Sequence, residues 1–501
     1  MSSSNSMVSR FLPLGVIDRY SLAYLLTALA VFVLVALTLP VNPFPVDGWY
    51  ASQDVLFGRP PGRSNKTPVA LPAVVFWLGA RLNEIHGGGP ASQMYVTATI
   101  QNVLLVFSGF LVLIAGKRLG LCWPAYAAAT VLMLCGLCTY MTMSFWSEAT
   151  VFFFMTLAVF LIVSTHTRSP PTTWRAAGKA IVFGSLVGAL TVTRVTPVVL
   201  LAGYLIVLWS TNRPGRAALL TALSITALLA LIAGQLLANQ YRFGRYELSN
   251  SAPLHLWNAV SDYADEVLDG SPHYAVVKEH LQDAQGKRPW QLRQELLDQG
   301  FTLVEVRVLI DGMARYLVTE RPVSMLFLGF RKSLDLVAMA PDRFGQFPPH
   351  AMDASIRRNP LGRHAYLPAL VAPAGLSRPL DAANDLFREY YPYLVAAVWI
   401  SVISSMVVCI AFTSGGRTRQ PSISAVRPAQ GSCGVWPLIL ALAIIYLGMT
   451  YLTALIERPI GRLQIIILPV TVMLLLSAGA SLAGRFHAAP VNRRRPPELP
   501  D

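Results

Sequence analysis

Long apolar runs constrain this chain more than anything else in it. Residues 20–40, 94–116, 121–142, 147–165, 217–238, 393–413, 436–455 and 465–483 are each almost free of charge. Each is about the 20 residues that cross a hydrocarbon core as helix. Inside lipid every backbone N–H and C=O must be satisfied by the segment itself, so runs of this kind fold as helices. Charged residues make up 13% of the chain, against about 25% in an ordinary soluble domain. The expected fold class is therefore an all-α polytopic membrane protein. Residues 1–9 are uncharged and Ser-rich, unlike a cleaved signal peptide, so the first run is expected to stay as a span.

The basic excess, 40 Lys and Arg against 26 Asp and Glu, would suggest nucleic acid in a soluble protein. In a membrane protein it marks the loops kept in the cytoplasm, and it gives the topology. Arg10 and Arg19 place the start of the chain inside, which makes 41–93 an external loop with juxtamembrane helices. Lys117 and Arg118 are then inside, as are Arg168, Arg175 and Lys179. The stretch 180–210 is apolar but broken at Arg194-Val-Thr-Pro197. Arg213 and Arg216 follow and belong inside, so the stretch is expected to be a hairpin of two short helices with Arg194 at its external tip. From 239 to 386 the chain is polar and is read as a mostly helical external, periplasmic region. Within it, 322–340 carries Arg331, Lys332 and Asp335 near its middle, each costing about 2.5–3.5 kcal/mol at a bilayer centre. An amphipathic helix lying in the interface fits better than a span. The basic tail with Arg485, Arg493, Arg494 and Arg495 is expected in the cytoplasm.

The outcome is about ten spans of the required length with both termini cytoplasmic. The chain divides into a transmembrane module (1–240), the external region (241–386), and C-terminal helices with a basic tail (387–501). The expected location is the cytoplasmic (inner) membrane. No internal repeat supports a two-halved transporter. Of five cysteines, Cys135 and Cys138 have redox-motif spacing but lie in an apolar run, where a thiolate is costly. No disulfide framework is implied.

Topology brings Asp47, Lys66, Glu148, Arg194, Arg458 and Arg462 to the external surface from turns far apart in sequence. Acids and cations converging there suit a transfer with a phosphate leaving group. A carboxylate can take the acceptor's proton, and Arg or Lys can stabilise the charge growing on the phosphate. Charges at span ends are ordinarily interface anchors, which is the plainer reading of Lys66, Arg458 and Arg462, and Asp47 could cap a short helix. Glu148 is harder to explain that way because it opens a uniformly apolar run. Arg194 interrupts another, where a charge needs a partner or ligand. His255, His273 and His280 lie among acidic residues at spacings that match no metal-ligand pattern.

These features, in this order, resemble the GT-C superfamily of membrane glycosyltransferases. That superfamily includes bacterial relatives of the protein O-mannosyltransferases and of the lipid A aminoarabinose transferase. Asp47-Gly-Trp-Tyr50, Gly58 and Lys66-Thr-Pro68 ahead of an apolar helix at 71–82 are similar to their first external loop, although many relatives have Glu where Gly48 stands. Ser144-Phe-Trp-Ser-Glu148 is similar to a later turn, and Thr193-Arg194 to a basic hairpin. Asn239-Gln-Tyr-Arg-Phe-Gly244, Pro322 with Arg331-Lys332, and Glu457-Arg458-Pro-Ile-Gly-Arg462 with Pro469 complete the likeness. The resemblance implies a polyprenyl-phosphate-linked sugar as donor and a lipid, glycan or protein as acceptor. It implies inversion at the anomeric carbon and, in some members, a divalent cation such as Mg or Mn. Asp47 would be base or metal ligand, and Glu148 a second acid orienting acceptor or metal. Lys66, Arg194, Arg458 and Arg462 would hold the donor phosphate. The competing class, a flippase or transporter of lipid-linked glycans, needs charges near the middle of several spans, and only Arg194 offers one.

Overall fold

The structure is a computed structural model. It describes residues 18–38, 70–88, 90–134, 147–167, 172–244, 252–281, 283–338, 378–414, 435–456 and 464–487, with single positions 138, 246 and 248. Every regular element among these residues is helical. The bundle contains α1 (Arg19–Thr38), α2 (Ala70–Ile85), α3 (Pro90–Arg118), α4 (Cys122–Leu134), α5 (Ser147–Thr167), α6 (Thr173–Thr193), α7 (Val199–Thr211) and α8 (Pro214–Phe243). After α8 come α9 (Ala252–Val260), α10 (Ala264–Val267), α11 (Pro272–His280), α12 (Pro289–Asp298), α13 (Leu303–Thr319) and α14 (Pro322–Ala338). The bundle resumes with α15 (Arg378–Ser414), α16 (Trp436–Ile456) and α17 (Gln464–His487). Among the described residues, six helices are long and apolar enough to cross a membrane: α1, α3, α5, α6, α8 and α16. Shorter apolar helices at Cys122–Leu134, Thr196–Thr211 and Ile467–Ser481 pack among them.

The way α1 buries its side chains shows why this composition needs lipid. Tyr24, Ala28, Val31 and Val35 recur at helical spacing and are buried, while Leu22, Leu26, Leu29 and Val33 recur on the opposite side and are exposed. Both faces are apolar, so the outward one has no suitable solvent except hydrocarbon. Aromatic side chains stand exposed at helix ends, with Trp123, Trp174 and Trp209 toward one end of the bundle and Tyr241 at the other. That is the depth at which interfacial aromatics sit in multi-pass membrane proteins.

Side-chain contacts fix the direction of each helix. Asp18, just before α1, is paired with Lys117 at 2.5 Å, and the Tyr24 hydroxyl donates to Val106 O at 2.7 Å. Helices α1 and α3 are therefore antiparallel. Arg118, which ends α3, donates to Ser164 near the end of α5, so those two run parallel. A Cβ on Gly184 would lie 2.1 Å from Ser224 O, and one on Gly188 would lie 3.1 Å from Leu228 O. Residue numbers rise together along α6 and α8, so these helices are parallel. The α7–α8 turn is only Asn212-Arg213, so α7 runs against both. The broken stretch is thus a hairpin, as the charge pattern requires. Its first helix begins at Thr173 rather than near 180 because Trp174, Arg175 and Lys179 continue the helix with polar tips and apolar stems.

One end of the bundle collects Asp18, Lys117, Arg118, Lys179 and Arg216, and we call it the basic end. The α3 end meets α17 there: a Cβ on Gly116 would lie 3.5 Å from Leu476, and one on Gly479 would lie 3.8 Å from Leu121. Helix α1 begins and α17 finishes at this end. Thr38, Glu148, Arg194 and Phe243 lie at the opposite end.

Helices α9 to α14 enclose a separate apolar core around Trp257, Leu268, Tyr274, Leu292, Ile310 and Leu317. Trp257 Nε1 donates to Lys287 O at 3.0 Å, and the Tyr316 hydroxyl donates to Asp269 O at 2.8 Å. Thr302 and Glu305 form a capping box that starts α13. Helix α14 joins this core to the bundle. Its Gly329 lies against Tyr451 and Leu455 of α16, and the Tyr451 hydroxyl donates to Leu326 O at 3.1 Å. Of the three charges that argued against a span, Lys332 is buried and its Nζ donates to Ala259 O at 2.7 Å, while Arg331 and Asp335 stay exposed, the Arg331 guanidinium 5.0 Å from the Tyr263 ring centre. Leu326, Phe327, Phe330 and Leu334 face outward, which is the amphipathic arrangement of an interfacial helix.

Candidate active site

Glu148 is the second residue of α5, where the helix N-terminus favours a negative charge. Arg194 follows the last residue of α6. Its backbone is extended (φ −149°, ψ 134°) and its N–H still bonds Leu190 O at 2.7 Å. A single 3₁₀ turn, Thr196–Val198, with Pro197 inside it, then starts α7. Proline supplies no N–H there, so the α-helix ends and the chain reverses.

The reversal points Arg194 at Glu148. Arg194 Nη2 donates to Glu148 Oε1 in an ion pair; the Glu148 side chain is fully buried and that of Arg194 is 17% exposed. Two charges removed from water this far persist only as a pair, and removing one partner costs about 3–5 kcal/mol. On the same helix ends, the buried hydroxyls of Thr150 and Thr191 have no hydrogen-bond partner. The Arg118–Ser164 contact sets α3 beside α5 so that Gln101 and Asn102 fall near the level of Glu148. Both are buried, and Asn102 Nδ2 donates to Ala98 O at 3.2 Å. Reasoning from charges passed over these two amides. The available signal was the Gln-Asn pair interrupting the run 94–116.

The structure thus joins two of the candidates, Glu148 and Arg194. The other four, Asp47, Lys66, Arg458 and Arg462, lie outside the described residues. The described chain brackets them, since α1 ends at Thr38 and α16 ends at Ile456. Helix α2 packs beside the start of α3, where a Cβ on Gly79 would lie 2.3 Å from Thr97 Oγ1. Among the described residues, no three His, Cys, Asp or Glu side chains converge as a metal's ligands would. Glu148 is neutralised by a guanidinium. The described residues do not by themselves fit a divalent cation. In the region from α9 to α14, Asp265 is committed to Lys278 at 3.0 Å and to the Tyr274 hydroxyl at 3.0 Å, while His280 packs edge-on against Phe301.

The fold and this buried pair define a multi-pass, all-helical membrane protein with a polar site at one end. No family model matches the chain, and no curated protein matches it. A solved structure with some likeness is the crystal structure of ArnT from Cupriavidus metallidurans in the apo state. The likeness spans 88% of this chain and 78% of that one, at 14% identity and a TM-score of 0.36. At that distance it carries nothing about chemistry.

Proposed function

We propose that this protein is a membrane glycosyltransferase of the GT-C type, moving a sugar from a polyprenyl phosphate to an acceptor at the external face of the cytoplasmic membrane. The observation that carries the reading is the buried Glu148–Arg194 pair, at the end of the bundle where the chain leaves α1 nine residues before Asp47. The first-loop resemblance around Asp47 and Lys66 supports it from the sequence.

In this reading Asp47 takes the proton from the acceptor hydroxyl or amine as that atom attacks the anomeric carbon. The bond from that carbon to the phosphate oxygen breaks on the opposite face, which inverts the centre. Arg194 faces the departing phosphate and Glu148 holds it there, so the guanidinium is oriented before the charge develops. Lys66, Arg458 and Arg462 add positive charge around the same phosphate. Where a divalent cation takes part, Asp47 is its candidate ligand, and it would offset the same charge.

The test is transfer from a radiolabelled polyprenyl-phosphate sugar in membranes carrying equal amounts of protein. Asp47→Ala is expected to abolish transfer. Full activity in that variant would overturn the assignment.

A further inference from the structure

A second polar site lies at the basic end, remote from the Glu148–Arg194 pair. Four elements meet there: the end of α5, the start of α6, the end of α7 and the start of α8. They enclose a small cleft with about 40 Å³ of interior volume, partly open to solvent. Its polar lining is Ser164, Thr165, Lys179, Tyr204, Asn212 and Arg216. Arg118 reaches the same place from α3 by donating to Ser164.

Topology anchors would account for cations here, but they reach outward and scatter around the rim. These come from separate helices and converge on one concavity, and Arg216 Nε is buried. A guanidinium and an ammonium beside hydroxyls match a tetrahedral oxyanion, the guanidinium by paired N–H donors and the ammonium as a point charge. The cleft also sits at headgroup depth. Trp209, one residue from cleft-lining Leu208, is exposed at the bundle surface, as is Trp174 near Lys179.

We propose that this cleft binds a phosphate group. Phosphate esters at that depth are phospholipid headgroups, and the other source of the same chemistry is free inorganic phosphate. The site is independent of the transferase reading.

The experiment uses the full-length protein in a neutral detergent. Thermal unfolding is followed with added phosphatidylglycerol, with zwitterionic phosphatidylcholine, and with inorganic phosphate. Phosphatidylglycerol is expected to raise the midpoint by several degrees in the wild type and to have little effect on Lys179→Gln/Arg216→Gln. The control Lys278→Gln/Arg307→Gln, in the external region, should keep the full shift. An equal shift with inorganic phosphate supports the site and makes the free anion its ligand. No shift with either, or the same shift in the cleft variant, overturns the proposal. Should the cleft variant fold poorly, the wild type alone decides. Phosphatidylglycerol or phosphate should slow amine acylation of Lys179, read by peptide mass, and leave Lys278 unchanged. Equal acylation of Lys179 with and without them overturns it.

Discussion

Arg194 and Glu148 lie 46 residues apart in sequence, and each is a poor choice for its position without the other. Glu148→Gln takes the carboxylate away from a guanidinium that is mostly out of water, and Arg194→Gln takes the guanidinium away from a fully buried carboxylate. Each should lower stability by about 3–5 kcal/mol. The double variant should be more stable than either single one because no charge is left uncompensated, and a double-mutant cycle on thermal unfolding in detergent measures that coupling. Transfer activity should vanish in Arg194→Gln and in the double variant, since restoring stability does not restore the cation, and it should fall in Glu148→Gln, where the cation remains but is no longer held in place. A second residue-scale prediction concerns pH. The hydrogen bond from Lys278, then that from Tyr274, holds the Asp265 carboxyl below its ordinary range. A carboxylate whose pKa is depressed by folding adds stability at higher pH and loses it as pH falls through the folded value. Asp265→Asn should therefore destabilise the protein near neutrality, and the difference from wild type should shrink in acid below the ordinary carboxylate range. Unfolding midpoints of the two proteins across that range check it. A constant difference would show that the lost contact is not ionic.

At the scale of elements, α6 and α8 show how far the sequence could be read. Apolar length announced both helices, and the parity of the basic loops announced the reversal between α6 and α7. The parallel pairing of α6 with α8 was not announced. It rests on Gly184 and Gly188, one helical turn apart, which let the backbone of α6 approach Ser224 and Leu228. The Ser224 hydroxyl donates to Ala180 O at 3.1 Å across that contact. Gly184→Leu should prevent the approach, because even its Cβ would meet the Ser224 carbonyl, and yield of monodisperse protein should fall steeply. Gly178→Ala on the same helix meets nothing within 4 Å and should be tolerated, or slightly stabilising through helix propensity. Size-exclusion profiles after solubilisation separate the two. Helix ends were less legible than helix existence. Helix α15 begins at Arg378, well ahead of the apolar run 393–413, because a helix leaving the hydrocarbon can continue with polar residues. At the site, Glu148 and Arg194 could be singled out because charge in an apolar run is conspicuous. Their partnership could not be seen, since it depends on which faces the antiparallel neighbours α5 and α6 turn toward each other, and no local pattern specifies that. The basic cleft was hidden for another reason: Lys179 and Arg216 already had a sufficient explanation as topology anchors.

For the whole molecule, the directions of the helices divide the surface into two ends with different chemistry. One gathers the cations Lys117, Arg118, Lys179 and Arg216, together with the start of α1 and the end of α17. The other carries the Glu148–Arg194 pair, the end of α8 and the region from α9 to α14. If the positive end faces the cytoplasm, the proposed transfer occurs outside, where no nucleotide-sugar pool is at hand and a lipid-linked donor becomes necessary. The orientation is therefore a condition of the function. It can be read with single cysteines introduced into a background whose own five cysteines are replaced. Arg175→Cys lies at the basic end and Lys278→Cys in α11 of the region beyond the opposite end, and both positions are well exposed. In intact cells a membrane-impermeant maleimide should label Cys at position 278 rapidly and at position 175 only after permeabilisation. Labelling of both in intact cells would mean that the two ends share a compartment, contradicting the through-bilayer arrangement. Labelling of position 175 alone would invert the molecule, place the Glu148–Arg194 pair in the cytoplasm, and remove the reason for a polyprenyl-phosphate donor.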